Sequence, residues 1–328
     1  MATRRAVKPC LPAHLAKPAL FTSQRNVLSV TSHLMHHHKG RGYYAAPASR
    51  KPAPSRSEVF NLSQIPQASF ERVISRNGNS FKHLSCAEYY VVAQKFTEAI
   101  RRGSSPWAVS FSPKDRVSAE TLHAVACIMR QIRSSSADAF ATALWSSASE
   151  MGHRPATLSL ARQLIRSGAY SRIPQLRRVE ARFKQLLGSG RDADALTAEG
   201  ELLFEQGRYD GAATLLRRAL HIGGDFEWRS YCELCLAKVY AKTGREDDAR
   251  EVFARLADAG MVEADVELVD LLRRSDSEES EQRMYTAACN GRSDMFTRLS
   301  EAELEKENGE RRLWAMEWSR LADQRVEY

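Results

Sequence analysis

Three stretches of this chain repeat the same small–bulky–glycine order at a nearly constant distance, which restricts its fold more than any other feature. Ala161, Leu164 and Gly168 recur as Gly200, Leu203 and Gly207, and again as Ala237, Tyr240 and Gly244. The glycines stand 39 and 37 residues apart. In the last two copies an alanine follows the glycine by five positions (Ala212, Ala249), with Leu216 and Phe253 four further on. A period of this length fits one helical hairpin, which buries its apolar face only by stacking on neighbours. The small residue lets two antiparallel helices approach, and the bulky one fills the space beside it. The glycine supplies a left-handed turn without a Cβ penalty.

This pattern resembles the tetratricopeptide repeat, and the copy at 193–224 carries it best, with Gly200, Leu203, Gly207, Tyr209, Ala212 and Ala219 in place. Gly223 and Gly224 stand where the terminal proline is usual, and the first copy has Ile173 at the packing alanine position. A second ladder runs from Phe253 to Gly260, Met284 to Gly291 and Trp318 to Arg325, and is similar to Sel1-like repeats. The resemblance covers about residues 155–325. It implies an all-α fold, a right-handed α-solenoid of helix-turn-helix repeats. It also implies that Arg162, Arg166, Glu201, Phe204, Lys238 and Lys242 face the groove from the first helix of each repeat. The asparagines of the chaperone-binding carboxylate clamp are not matched. Residues 240–253 also resemble a pentatricopeptide repeat, a family that reads single-stranded RNA. Gly207 is expected at positive φ, and Gly190 as an ordinary loop glycine.

Helical spacing extends upstream. Tyr89, Tyr90, Val92, Ala93, Phe96 and Ile100 share one face, and Leu122, Val125, Ala126, Met129 and Ile132 another, followed by Phe140, Leu144 and Met151. Residues 84–153 therefore read as an N-terminal helical region before the repeat solenoid at 154–328, and residues 44–83 as a flexible linker and lead-in.

The net charge of +8 suggests nucleic acid until the chain is divided. Residues 1–57 hold ten Lys or Arg and no acid, whereas 58–328 hold 38 basic and 40 acidic side chains. The leader is rich in Arg, Ser and small apolar residues, and Leu20 to Leu34 suits a short amphipathic helix. No long apolar segment marks it for secretion. These features predict a mitochondrial transit peptide over 1–43, cut after Arg41-Gly42-Tyr43, and a matrix location. The alternative is a disordered basic tail. His36, His37 and His38 have no partner ligands near them in sequence and would leave with the leader.

Chemistry is sparse. Gly188-Ser189-Gly190 lacks the lysine and hydroxyl of a phosphate loop. Cys232 and Cys235 have a CxxC spacing without a second CxxC or histidine pair, so core packing explains them better than zinc or redox chemistry. His83, His123, His153 and His221 form no recognisable constellation. The expectation is a protein that is not an enzyme and needs no metal or cofactor. Residues 154–191 carry nine basic side chains and one acid, and 192–328 carry 19 basic and 31 acidic. Two readings of the basic segment stand: a docking surface for an acidic partner, RNA or anionic lipid, or a solvated face neutralised by the acidic repeats. The expected function is a matrix adaptor or assembly factor whose groove holds a protein client, such as a respiratory-complex or ribosomal subunit. An organellar RNA-binding protein is the alternative.

Overall fold

The computed structural model describes residues 59–323 except 82, 133, 223, 274–275 and 306–308. The expected transit peptide, its expected cleavage site and His36, His37 and His38 lie outside the described residues. Among those described there is no strand, and the chain divides into two units, Met1–Ala156 and Thr157–Tyr328.

The first unit holds α1 (Gln67–Asn77), α2 (Cys86–Arg101), α3 (Ala119–Gln131) and α4 (Ser135–Glu150). Ser85 and Glu88 form a reciprocal capping box that starts α2, and the Ser118 side chain caps α3. α4 is buried on nearly every side, with Phe140, Leu144 and Trp145 fully enclosed. Its Ser146 and Ser147 hydroxyls donate to the carbonyls of Trp107 and Pro106, at 2.7 and 3.1 Å, tying down the loop after α2. The lead-in is more structured than its sequence indicates. Phe60, Ile65 and Phe70 are buried, and Phe60 meets Phe140 edge-on at 5.4 Å. Too few residues lie between turns here for a period to emerge.

The second unit carries α5 (Arg154–Arg166, its first turn in the preceding unit), α6 (Arg177–Gly188), α7 (Ala193–Glu205), α8 (Tyr209–Ile222), α9 (Arg229–Lys242) and α10 (Glu246–Asp258). It continues with α11 (Val262–Leu272), α12 (Ser277–Cys289), α13 (Asp294–Leu304) and α14 (Gly309–Ala322). From α6 onward each helix packs on the next, and α7 also reaches α9, so the unit is an α-solenoid of stacked hairpins. Gly207 has φ +73° and closes α7 with two bonds, Gly207 N–H to Phe204 O at 2.9 Å and Arg208 N–H to Leu203 O at 2.8 Å. That is a Schellman ending; Gly168 ends α5 the same way, and Gly244, at φ +79°, follows α9 with the Arg245 N–H donating to Tyr240 O at 2.9 Å.

The second ladder proves to be a shift of position. Gly260 and Gly291 end α10 and α12, the second helices of their hairpins, with the same two bonds. Ile173 lies outside a helix, because the 3-10 turn Pro174–Leu176 delays α6 until Arg177. Gly190 is not an ordinary loop position. Its φ is +62°, and a Cβ there would lie 2.5 Å from the Arg218 guanidinium.

Candidate functional site

The first helices α5, α7, α9 and α11 gather four of the expected groove residues into one cluster and one separate ion pair. Arg162 and Arg166 lie one turn apart on α5, and the Nε of each is 3.6 Å from the Glu201 carboxylate on α7. The Tyr231 hydroxyl, from α9, donates to Glu201 Oε1. Above the Tyr231 ring the Arg162 guanidinium sits 3.6 Å from the centroid, with the Trp228 ring 5.3 Å away. Trp228 is fixed through its backbone N–H, which donates to the buried Asp194 carboxylate at 3.0 Å. One repeat on, Lys238 Nζ lies 2.7 Å from Glu267 of α11.

Burial decides what each charge does. The Arg162 side chain is only 14% exposed and Glu201 only 7%. Burial alone would depress the Arg162 pKa, but Tyr231 and Glu201 outweigh it and hold the guanidinium above its ordinary value. Lys238 follows the same balance, with burial opposed and exceeded by Glu267. Burial also raises Tyr231 well above the usual phenol range, with Cys235 and Glu201 adding to it. Arg166 is 27% exposed and Lys242, at the end of α9, is exposed. Phe204 packs instead at its own hairpin, tilted against Tyr209 at 5.7 Å.

Sequence reasoning missed Trp228, Tyr231 and Glu267. Tyr231 and Lys238 are seven residues apart, two helical turns, so the same wheel carried the signal. Glu267 was hidden because the second ladder obscured where α11 begins.

Residues 203–269, from the end of α7 into α11, match the family model described as Tetratricopeptide repeat. That stretch resembles tetratricopeptide repeats, and it spans about a fifth of the chain. A Sel1 repeat protein from Oxalobacter formigenes is a loose structural likeness, with 17% identity and a TM-score of 0.43 over 73% of this chain and 98% of that one. The search of curated proteins finds no match.

Within this matched stretch Cys232 and Cys235 are both buried and reduced, and Cys232 Sγ donates to Leu216 O at 3.4 Å. Burial pushes their thiols up to about 11 and about 12, so neither ionises near neutral pH. No group of three or more His, Cys, Asp or Glu among the described residues is arranged to hold a metal, and no described helix is long and apolar enough to cross a membrane.

A second polar cluster lies in the first unit. The His123 and His153 rings are 5.1 Å apart, and Cys127 Sγ is 3.7 Å from His123 Nε2. Burial, helped by His153, lowers His123 from 6.5 to about 4; burial also lowers His153, opposed by Glu120. An imidazole kept neutral by folding is protonated first in the unfolded chain. Its stabilising contribution is therefore complete above about pH 6.5 and is lost as pH falls towards 4. Melting temperatures measured from pH 7 to pH 4 should fall over this window, and more steeply for the wild type than for His123→Leu. Parallel curves would place the acid sensitivity elsewhere.

Proposed function

We propose that this chain is a non-catalytic adaptor or assembly factor of the mitochondrial matrix that holds an acidic segment of a client protein across its first-helix face. Tetratricopeptide repeats are typically non-catalytic scaffolds for protein interaction, and the face supplies the preference. Arg166 and Lys242 stand at its accessible parts, with Trp228 and Tyr231 at the start of α9 for apolar or cation contact. Arg162 stays below, orienting the aromatic pair. A client of this kind would be a subunit of a respiratory complex or ribosome carrying an acidic stretch.

The test compares a fluorescent glutamate-rich peptide with single-stranded RNA of equal charge. Arg166→Gln with Lys242→Glu should weaken peptide binding about tenfold or more, while Arg178→Glu with Lys184→Glu on α6 should change it little. Tighter binding of RNA, lost equally in both variants and released by moderate salt, would favour the organellar RNA-binding reading.

Location is tested separately. The acid-free leader motivates the expectation that a tagged chain enters mitochondria and is recovered there beginning at Tyr44, and that deletion of residues 1–43 leaves it in the cytosol. Matrix protein still beginning at Met1 would refute the cleavage, and unchanged import of the deletion would refute the leader.

A further inference from the structure

Among the described residues, nothing covers one face of the helix α14 (Gly309–Ala322). Its inner side is well held, with Ala315 buried, Trp318 stacked on Phe296 and Trp314 at 5.8 Å each, and the Ser300 hydroxyl donating to Ala315 O at 2.7 Å. Leu313 and Met316 point the other way, 64% and 68% exposed, among the most exposed large apolar side chains described. With Arg320 they recur at intervals of three and four, the spacing of seam positions in a two-helix coil, flanked by exposed Arg312 on one side and exposed Glu317 on the other.

We propose that this face pairs with α14 of a second copy of the chain, the two helices running parallel with Leu313 and Met316 in the seam. Charge complementarity selects this occupant. In a parallel pair the residue before one seam position reaches the residue after the next seam position on the other helix. Arg312 therefore meets Glu317 of the partner subunit, and two-fold symmetry makes the pair twice. An antiparallel arrangement would set like-charged flanks together. Arg320 occupies the following seam position, where a charge weakens the coil and restricts the contact to a short, reversible one. The Arg320–Glu317 pair within the helix, 3.6 Å apart with both side chains more than half exposed, competes little. None of this depends on what the first-helix face binds.

Sedimentation equilibrium of the full chain tests the pairing. The wild type should show a concentration-dependent dimer, and Leu313→Asp with Met316→Asp should be monomeric with an unchanged helical spectrum. Arg312→Glu or Glu317→Arg alone should weaken the dimer about tenfold, since each removes two symmetry-related pairs. Combining Arg312→Glu with Glu317→Arg should restore it, and because both positions are exposed this arm is readable even if the seam variant misfolds. A wild type that is monomeric at every concentration overturns the proposal. Failure of the combined charge exchange to restore a dimer that the single changes weaken overturns it equally.

Discussion

Glu201→Ala is expected to lower the stability of the repeat unit by about 3–5 kcal/mol, the loss typical of removing one partner from a buried ion pair. Glu201 receives both arginines of α5 and the Tyr231 hydroxyl of α9, so three first helices converge on one carboxylate. Without it, Arg162 remains enclosed against the Tyr231 and Trp228 rings and loses the carboxylate 3.6 Å from its Nε. Tyr231 loses its acceptor as well. Replacing both charges by apolar groups, Arg162→Met with Glu201→Leu, should recover much of the loss, because the penalty arises from the stranded charge rather than from the absence of attraction. Urea unfolding followed by circular dichroism measures both. A single-mutant loss below about 1 kcal/mol would mean that water reaches Arg162 and the cluster is a surface one. The same burial makes Arg162→Glu unsuitable as a binding test, since it would set two carboxylates together inside the fold.

Gly200→Val should cost about 3 kcal/mol, the upper end of the usual range for overpacking. A Cβ at position 200 would lie 2.7 Å from both Cγ and Cδ2 of Leu216, which is fully buried in α8. Helix propensity alone argues for the opposite sign, because glycine is the poorest ordinary residue in a helix interior. The collision therefore has to exceed a gain. Leu216→Ala opens space at the same point, so the double variant should be more stable than the sum of the two single losses predicts. Strict additivity in denaturant unfolding would place Gly200 away from the α7–α8 contact.

These two neighbours on α7 show which parts of the fold can be read from residues alone. Gly200, Leu203 and Gly207 are dictated by close approach and backbone conformation, which admit few residue types and so leave a visible pattern. Register assigned Glu201 to the first-helix face, where Arg162, Arg166 and Tyr231 meet it. Its depth depends on how closely α5 and α9 flank α7, which no single helix encodes. Phe204 illustrates the converse, since its register allows the groove but Tyr209 across the turn captures it. The lead-in was illegible for another reason. Phe60 is buried against Phe140 of α4 and Phe70 against Tyr90 of α2, and contacts between elements leave no local period. The CxxC spacing of Cys232 and Cys235 was readable as packing because nothing beside it in sequence could complete a metal site.

The ion pairs along the first helices also constrain how such a chain can change length. Charge alternates by helix: Arg162 and Arg166 on α5, Glu201 on α7, Lys238 on α9 and Glu267 on α11. Loss of the single hairpin α7–α8 would set the arginines of α5 beside Lys238, and duplication of it would set one Glu201 beside another. Insertion or loss of two hairpins together keeps opposite signs adjacent. The array is thus composed of ordered pairs rather than interchangeable units, and a lineage or a designer altering its span would move in steps of two.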